Sequence, residues 1–280
     1  MSLSQHNTPT LNEALASFTS YCHNDLTDFL KKTNKQSKFR CMVMGGYGLK
    51  TLLETKYNMP DKVKTKDLDI TVSSYRSKLN DEQLLDYWLS KLVAFIRQQP
   101  NPKDYKVSVI QGNMYVPILD YTRSAIIMVS YKYQEFADIA ITDAKVRMVS
   151  MDKETSLKVG LPVKKLNEYL LELLTIIYRA NVQDVAPELY EKRNPVTGYQ
   201  GNKGLNDIER AKLICNMPRL KKYNTYCDVI KSVSLNKLFH TTPKERDTFF
   251  GALSSLVTMK RKVVKSALTS DKKSKLTIII

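Results

Sequence analysis

Histidine is scarce in this chain: His6, His23 and His240 are the only three in 280 residues, and no two are close in sequence. That scatter argues against a histidine-ligated metal and against a histidine general base. Cysteine is sparse as well. Cys22, Cys41, Cys215 and Cys227 form no Cys-x-x-Cys pair and lack the density of a secreted scaffold. All four are expected as reduced thiols in or near the core. No apolar stretch reaches the ~18 residues of a membrane span. The segment MSLSQHNTPTLNEAL has no basic-then-apolar leader pattern, so a cytosolic or nuclear compartment is expected. Acidic residues are outnumbered, 28 against 44 Lys and Arg, leaving a net charge of +16. Such a surplus suits a polyanionic partner, nucleic acid first. The plain alternative is a Lys-rich, Asn-rich composition spread over solvated faces, and charge alone leaves RNA and DNA undecided.

Against this background three aspartates stand behind a double glycine. Gly45 and Gly46 follow the apolar run in FRCMVMGGYGLK, Asp67 and Asp69 sit in TKDLDITV, and Asp138 sits in EFADIAIT. Apolar neighbours on both sides read as alternation on half-buried strands. In Asp67-Leu68-Asp69 a period of two puts both carboxylates on one face and Leu68 on the other. Asp138, between Ala137 and Ile139, presents a third carboxylate from a neighbouring strand. Oxygen ligands crowded on one sheet face, with no His or Cys among them, suit Mg²⁺ or Mn²⁺. Two such ions roughly 3.5–4 Å apart would clamp the attacking and leaving oxygens of a phosphoryl displacement. The glycine pair lets backbone N–H groups approach phosphate, and a following helix N-terminus favours negative charge. The plain alternatives are surface turns for the aspartates and an ordinary helix start for the glycines. Alternating apolar flanks disfavour the first.

The order strand, Gly-Gly turn, helix, Asp-x-Asp, later carboxylate resembles the nucleotidyltransferase superfamily of DNA polymerase β type. The resemblance implies that Gly45 and Gly46 hold a nucleoside triphosphate and that Asp67, Asp69 and Asp138 bind two Mg²⁺. Two features depart from it. Gly46 stands where a serine hydroxyl often touches phosphate, and the stretch KYNMPDKVKTK lengthens the gap to Asp67. A second segment, RNPVTGYQGNKGLNDIERAKLIC from Arg193 to Cys215, is similar to one in poly(A) polymerase catalytic subunits of poxviruses and giant viruses. It implies a nucleotide-side role for Lys203, Asp207 and Arg210. Read without it, Asp207 caps or pairs, Arg210 follows one turn later, and all three form a loop and a helix face. The chain is shorter than expected for the poxvirus-type subunits.

Elsewhere, helical spacing covers residues 11–33 and 81–98, strands cover 39–44 and 67–73, and a helix starts near Tyr47. YKVSVI, Gln-Gly-Asn and MYVPILDY read as a hairpin. AIIMVSYKY and FADIAIT read as another, with Gln134-Glu135 at its turn. After about residue 155 the pattern turns helical, with LPVKKLNEYLLELLTIIYRANV opening on Pro162 and further helices at 209–220, 222–239 and 243–260. Residues 192–206, rich in Asn, Gly and Pro, read as a loop. Residues 260–275 hold seven Lys or Arg and one Asp, and the apolar LTIII that follows needs a cover. The expected architecture is α+β. A mixed-sheet nucleotidyltransferase domain over 1–155, with its N-terminal helix, precedes a mostly helical domain over 156–280 with a basic tail.

The resemblance points to a template-independent RNA nucleotidyltransferase of the viral poly(A) polymerase kind, using ATP and an RNA 3′ end. It implies a cytoplasmic viral factory or virion as its place. It also implies a homodimer, or a heteromer with a viral processivity subunit, as the assemblies to test, and no membrane. Two other readings stay open: nucleotidyl transfer to tRNA, protein or a small molecule, and a non-catalytic RNA-binding subunit that keeps the fold.

Overall fold

The computed structural model describes residues 10–31, 40–65, 67–75, 77–116, 121–143, 151–181, 201–217, 227–228 and 274–278. In chain order these give α1 (Leu11–Lys31), β1 (Arg40–Val43), α2 (Gly45–Lys56), β2 (Leu68–Ser73), α3 (Asp81–Arg97), β3 (Tyr105–Val116), β4 (Tyr121–Tyr131) and β5 (Gln134–Thr142). There follow α4 (Lys153–Val159), α5 (Leu166–Asn181), α6 (Gly201–Cys215) and β6 (Ser274–Ile278). All six strands join one sheet in the order β1-β2-β5-β4-β3-β6. It is mixed: β2 and β5 are parallel, while β1–β2, β4–β5 and β3–β6 are antiparallel. The fold class is therefore α+β.

The described residues fall into two compact units. The first holds the sheet up to Tyr115 of β3, with the returning strand β6 and α1 to α4; the second takes Val116 and the chain from Leu166 to Ser270, and contains α5 and α6. The sequence alone places a single division at residue 155. Of LTIII, Leu276 to Ile278 belong to β6 at the sheet edge, where Leu276 pairs with Val109 and Ile278 with Val107.

One face of the sheet is the core of the first unit. Leu68, Ile70 and Val72 of β2 stand in register with Ala137, Ile139 and Ile141 of β5, and all six are buried. Ala125, Ile127 and Val129 of β4 continue the same rows. Helix α3 covers part of this face because its apolar positions recur at helical spacing: Leu84, Leu85, Trp88, Leu92, Phe95 and Ile96 are all buried. Its start is fixed by a capping box. Asn80 Oδ1 accepts the Gln83 N–H at 2.9 Å, and the Asn80 N–H donates to Gln83 Oε1 at 3.0 Å. Helix α1 adds Phe18, whose ring meets Phe95 edge-on at 5.3 Å and Phe136 at 6.0 Å.

Several local expectations need correction. Gln111-Gly112-Asn113 is not a turn: β3 runs through it, with Gly112 at φ +122, a conformation open to glycine inside a bent strand. The β4–β5 turn is Lys132-Tyr133, both at positive φ, and Gln134-Glu135 already belongs to β5. Pro162 does not open a helix. Its carbonyl accepts the Val43 N–H at 3.1 Å, and α5 starts only at Leu166. Helix α6 begins at Gly201, inside the stretch read as a loop, and ends at Cys215. Cys215 and Cys227 are joined by a disulfide across a separation of 12 residues, so only Cys22 and Cys41 are free thiols, both buried. Burial first, and the neighbouring Cys22 second, push the Cys41 thiol far up and keep it protonated. Of the helix read at 222–239 only Cys227 and Asp228 are described, and both are helical; the helix read at 243–260 and the basic segment up to residue 273 lie outside the described residues.

Asp152 ties α4 to α2. Its side chain caps α4 by accepting the Thr155 N–H at 3.1 Å and pairs with Lys56. Burial alone would raise its pKa; the bonds from Lys56 and Thr155 outweigh burial and hold it below the usual carboxylate range. A depressed folded-state pKa adds stability that is present above the unfolded value, about 3.9 for Asp, and is lost as pH falls through the folded one. Asp152→Asn keeps a capping oxygen and removes the charge. It should cost about 1–2 kcal/mol near neutral pH, with the difference from wild type vanishing in strong acid; paired urea titrations check this.

Candidate active site

The site is built at the end of the sheet where β1 leaves for α2 and where β2 enters. Asp69 and Asp138 are direct neighbours on parallel strands β2 and β5. Because side chains alternate along a strand, both leave on the face opposite Ile70 and Ile139. Their carboxyls lie within hydrogen-bonding reach, which between two carboxylates requires a shared proton or a cation. Asp138 is largely withdrawn from water, and that burial raises its pKa. Repulsion from Asp67 raises it further, while attraction to Arg123 and the bond to Asp69 oppose the rise. Asp67 thus stands close enough to be felt. It lies one residue before β2 and is exposed, so it sits just outside the ladder that the period of two assigned to it. The Thr65 hydroxyl donates to its backbone carbonyl and to its Oδ1, both at 3.2 Å.

Gly45 closes the site from the α2 side. The Met44 N–H donates to the Asp69 carbonyl at 2.8 Å, which anchors the β1–α2 junction to β2. Gly45 itself has φ +60, and a Cβ built there would stand well inside 3.0 Å of Asp69 Oδ2. Two independent reasons therefore require glycine: the left-handed backbone and the carboxylate pressed against it. Gly46 follows, buried, in the first turn of α2. Met44 caps this helix without a side-chain hydrogen bond, and the first turn holds no acidic residue. The N-cap residue and the first turn therefore offer the α2 N–H groups no side-chain acceptor of their own.

The donor set can be tested against a divalent cation. Asp69 and Asp138 fit one: both are hard oxygen donors, already close together, and like charges at that distance call for a counter-ion. Among the described residues no three His, Cys, Asp or Glu side chains are gathered tightly enough to enclose an ion. Asp67, held by Thr65, is the member that stands apart. The three-carboxylate arrangement expected for two ions is thus present as a pair with a neighbour.

Lys203, Asp207 and Arg210 lie on α6 in the second unit. Asp207 is only 7% exposed and shares a stripe with Ala211 and Ile214, also buried. Arg210 is half-buried, and the Lys203 side chain lies outside the described residues. Sequence reasoning missed Arg123 and Thr65. Arg123 carries no local signal, because β4 brings it to the carboxylates from far along the chain, whereas Thr65 meets Asp67 through a local contact two residues away.

Two outcomes follow. Gly45→Ala should destabilise the protein by about 1–3 kcal/mol and displace the Asp69 carboxylate, seen as a lower melting temperature together with lost activity. Asp138→Asn should stabilise the metal-free protein at neutral pH. A raised carboxyl pKa contributes stability below the unfolded value and loses it as pH rises through the folded one, so the gain should disappear in acid. Denaturation at the two pH extremes reads the sign.

No protein-family model matches the chain, and no curated protein matches it in sequence. Among solved structures, the chain is similar to the crystal structure of the Megavirus polyadenylate synthase, with a TM-score of 0.40 and 9% sequence identity. The match covers 98% of this chain and 53% of that one, so the chain spans about half the length of that protein.

Proposed function

We propose that this chain is a template-independent RNA nucleotidyltransferase that adds AMP from ATP to an RNA 3′ end, in the manner of a viral poly(A) polymerase. The observation that supports this best is Gly45 packed against Asp69 with Asp138 alongside. A glycine turn and a pair of carboxylates are built onto one another, an arrangement that suits transfer of a nucleotidyl group. The uncapped N-terminus of α2 receives the triphosphate through backbone N–H groups. Asp138, whose burial favours its protonated form, takes the proton of the primer 3′-hydroxyl. The 3′ oxygen attacks the α-phosphorus of ATP, and pyrophosphate leaves. Two Mg²⁺ or Mn²⁺ ions, held by Asp67, Asp69 and Asp138, would supply the charge neutralisation that this displacement needs. The resemblance of the Arg193–Cys215 segment implies a nucleotide-side role for Lys203, Asp207 and Arg210, and the choice of adenine rests on that resemblance alone.

Incorporation of labelled nucleotide into an oligo(A) primer, with each NTP singly and with all four together, tests the reading. ATP should be preferred by roughly ten- to a hundredfold, the cost of leaving the polar groups of an adenine site unpaired. Asp67→Ala, Asp69→Ala and Asp138→Ala should each lose activity by a factor of order 10²–10³ or more while remaining folded. Equal use of UTP or CTP contradicts polyadenylation and retains nucleotidyl transfer. Normal turnover by one of the aspartate variants removes that residue from the site.

A further inference from the structure

The tip of the β4–β5 hairpin is unusual in three ways. Tyr133 is 98% exposed. Lys132 and Tyr133 sit at φ +46 and +68, conformations that glycine or asparagine would hold at less cost. And the tip is braced from below. The Lys132 N–H donates to the Asp104 carbonyl at 2.8 Å, Lys132 Nζ lies 5.3 Å from the centre of the Tyr131 ring, and Tyr131 packs on Tyr105 at 4.8 Å. An aromatic ring is thus held fully in water, on a rigid mount, by backbone that its sequence does not favour.

From these features, and resting on the nucleotidyltransferase reading, we propose that the hairpin tip binds single-stranded RNA upstream of the reacting 3′ end. Tyr133 is the stacking surface, and Lys103, Lys106 and Lys132 are the phosphate contacts. Those three lysines are exposed, against exposed Glu135 and half-buried Asp104. Position supports the choice of RNA. The tip opens directly into β5, which carries Asp138, and β5 begins before β2 at the sheet end where Asp67 and Asp69 stand. The five residues from Tyr133 to Asp138 span at most about 17 Å of extended chain, a distance that a few nucleotides bridge. A protein partner would need apolar surface around the ring, whereas its neighbours Lys132, Gln134 and Glu135 are polar and exposed. A base needs only the ring face and a nearby cation, without regard to sequence.

Fluorescence anisotropy with oligo(A) of about ten nucleotides, in the absence of ATP, reads binding apart from catalysis. Tyr133→Gly removes the ring and relaxes the backbone, so its melting temperature should equal or exceed that of wild type. Its RNA affinity should fall about tenfold or more, and Tyr133→Trp should retain binding. In incorporation assays Tyr133→Gly should raise the KM for the long primer, leave kcat and the KM for ATP unchanged, and have no effect on a dinucleotide primer. Unchanged RNA affinity in Tyr133→Gly, in a protein that incorporates AMP, overturns the hairpin site and leaves nucleotidyl transfer standing. Weakened affinity in a protein that incorporates no nucleotide retains the hairpin as an RNA contact and removes the catalytic reading. No RNA binding by the wild type overturns the hairpin site outright.

Discussion

The parallel pairing of β2 with β5 is the constraint on which the rest of the first unit depends. It sets Asp69 opposite Asp138 at a strand spacing of about 4.8 Å, a distance two carboxylates would not choose. The opposite face of the same strands holds them there. Leu68, Ile70 and Val72 are buried against the same rows as Ala137, Ile139 and Ile141. A slip of one residue would carry this apolar set into water and the carboxyls into the core. The hydrophobic face thus fixes the geometry of the acidic one. A proton shared by the two groups, or in the proposed enzyme a cation, would relieve the repulsion.

A register shift near the start of β5 makes this possible. Val129 pairs with Ala137 and Ser130 with Glu135, so Phe136 is an extra residue. Phe136 and Ala137 are both buried, the former against Phe18 and Tyr105, and from Ala137 on β5 pairs residue for residue with β2. The bulge lets the hairpin tip keep its own facing while Asp138 emerges beside Asp69. Gly45 completes the geometry from the other side, since any side chain there would collide with the Asp69 carboxylate.

Much of this was legible from residue pattern. Asp-Leu-Asp with apolar flanks located β2, and the apolar run before Gly45 located β1, because alternation and glycine both report backbone geometry directly. The misses have physical reasons. Gln-Gly-Asn resembles a turn, yet Gly112 adopts its positive φ within a strand that β6 also pairs with. The true β4–β5 turn contains neither Gly nor Asn, so its chemistry gives no signal. Asp67 falls one residue short of β2, because the pairing with β5 begins only at Leu68. The Cys215–Cys227 link depends on how the chain after α6 returns, which spacing does not encode. The pairing of the C-terminal strand with β3 is a contact across most of the chain, invisible to any local pattern.

In the proposed enzyme the Asp69–Asp138 pair is a cation site set against the Gly45 turn. Crystals grown with Mn²⁺ and a non-hydrolysable ATP analogue, imaged at the manganese absorption edge, test it directly. Anomalous density should touch carboxyl oxygens of Asp69 and Asp138, with the analogue's phosphates on the backbone of Gly45 and Gly46 and Asp67 turned away from Thr65. An intact Asp69–Asp138 hydrogen bond with no manganese beside it, in crystals that hold the analogue elsewhere, would contradict it.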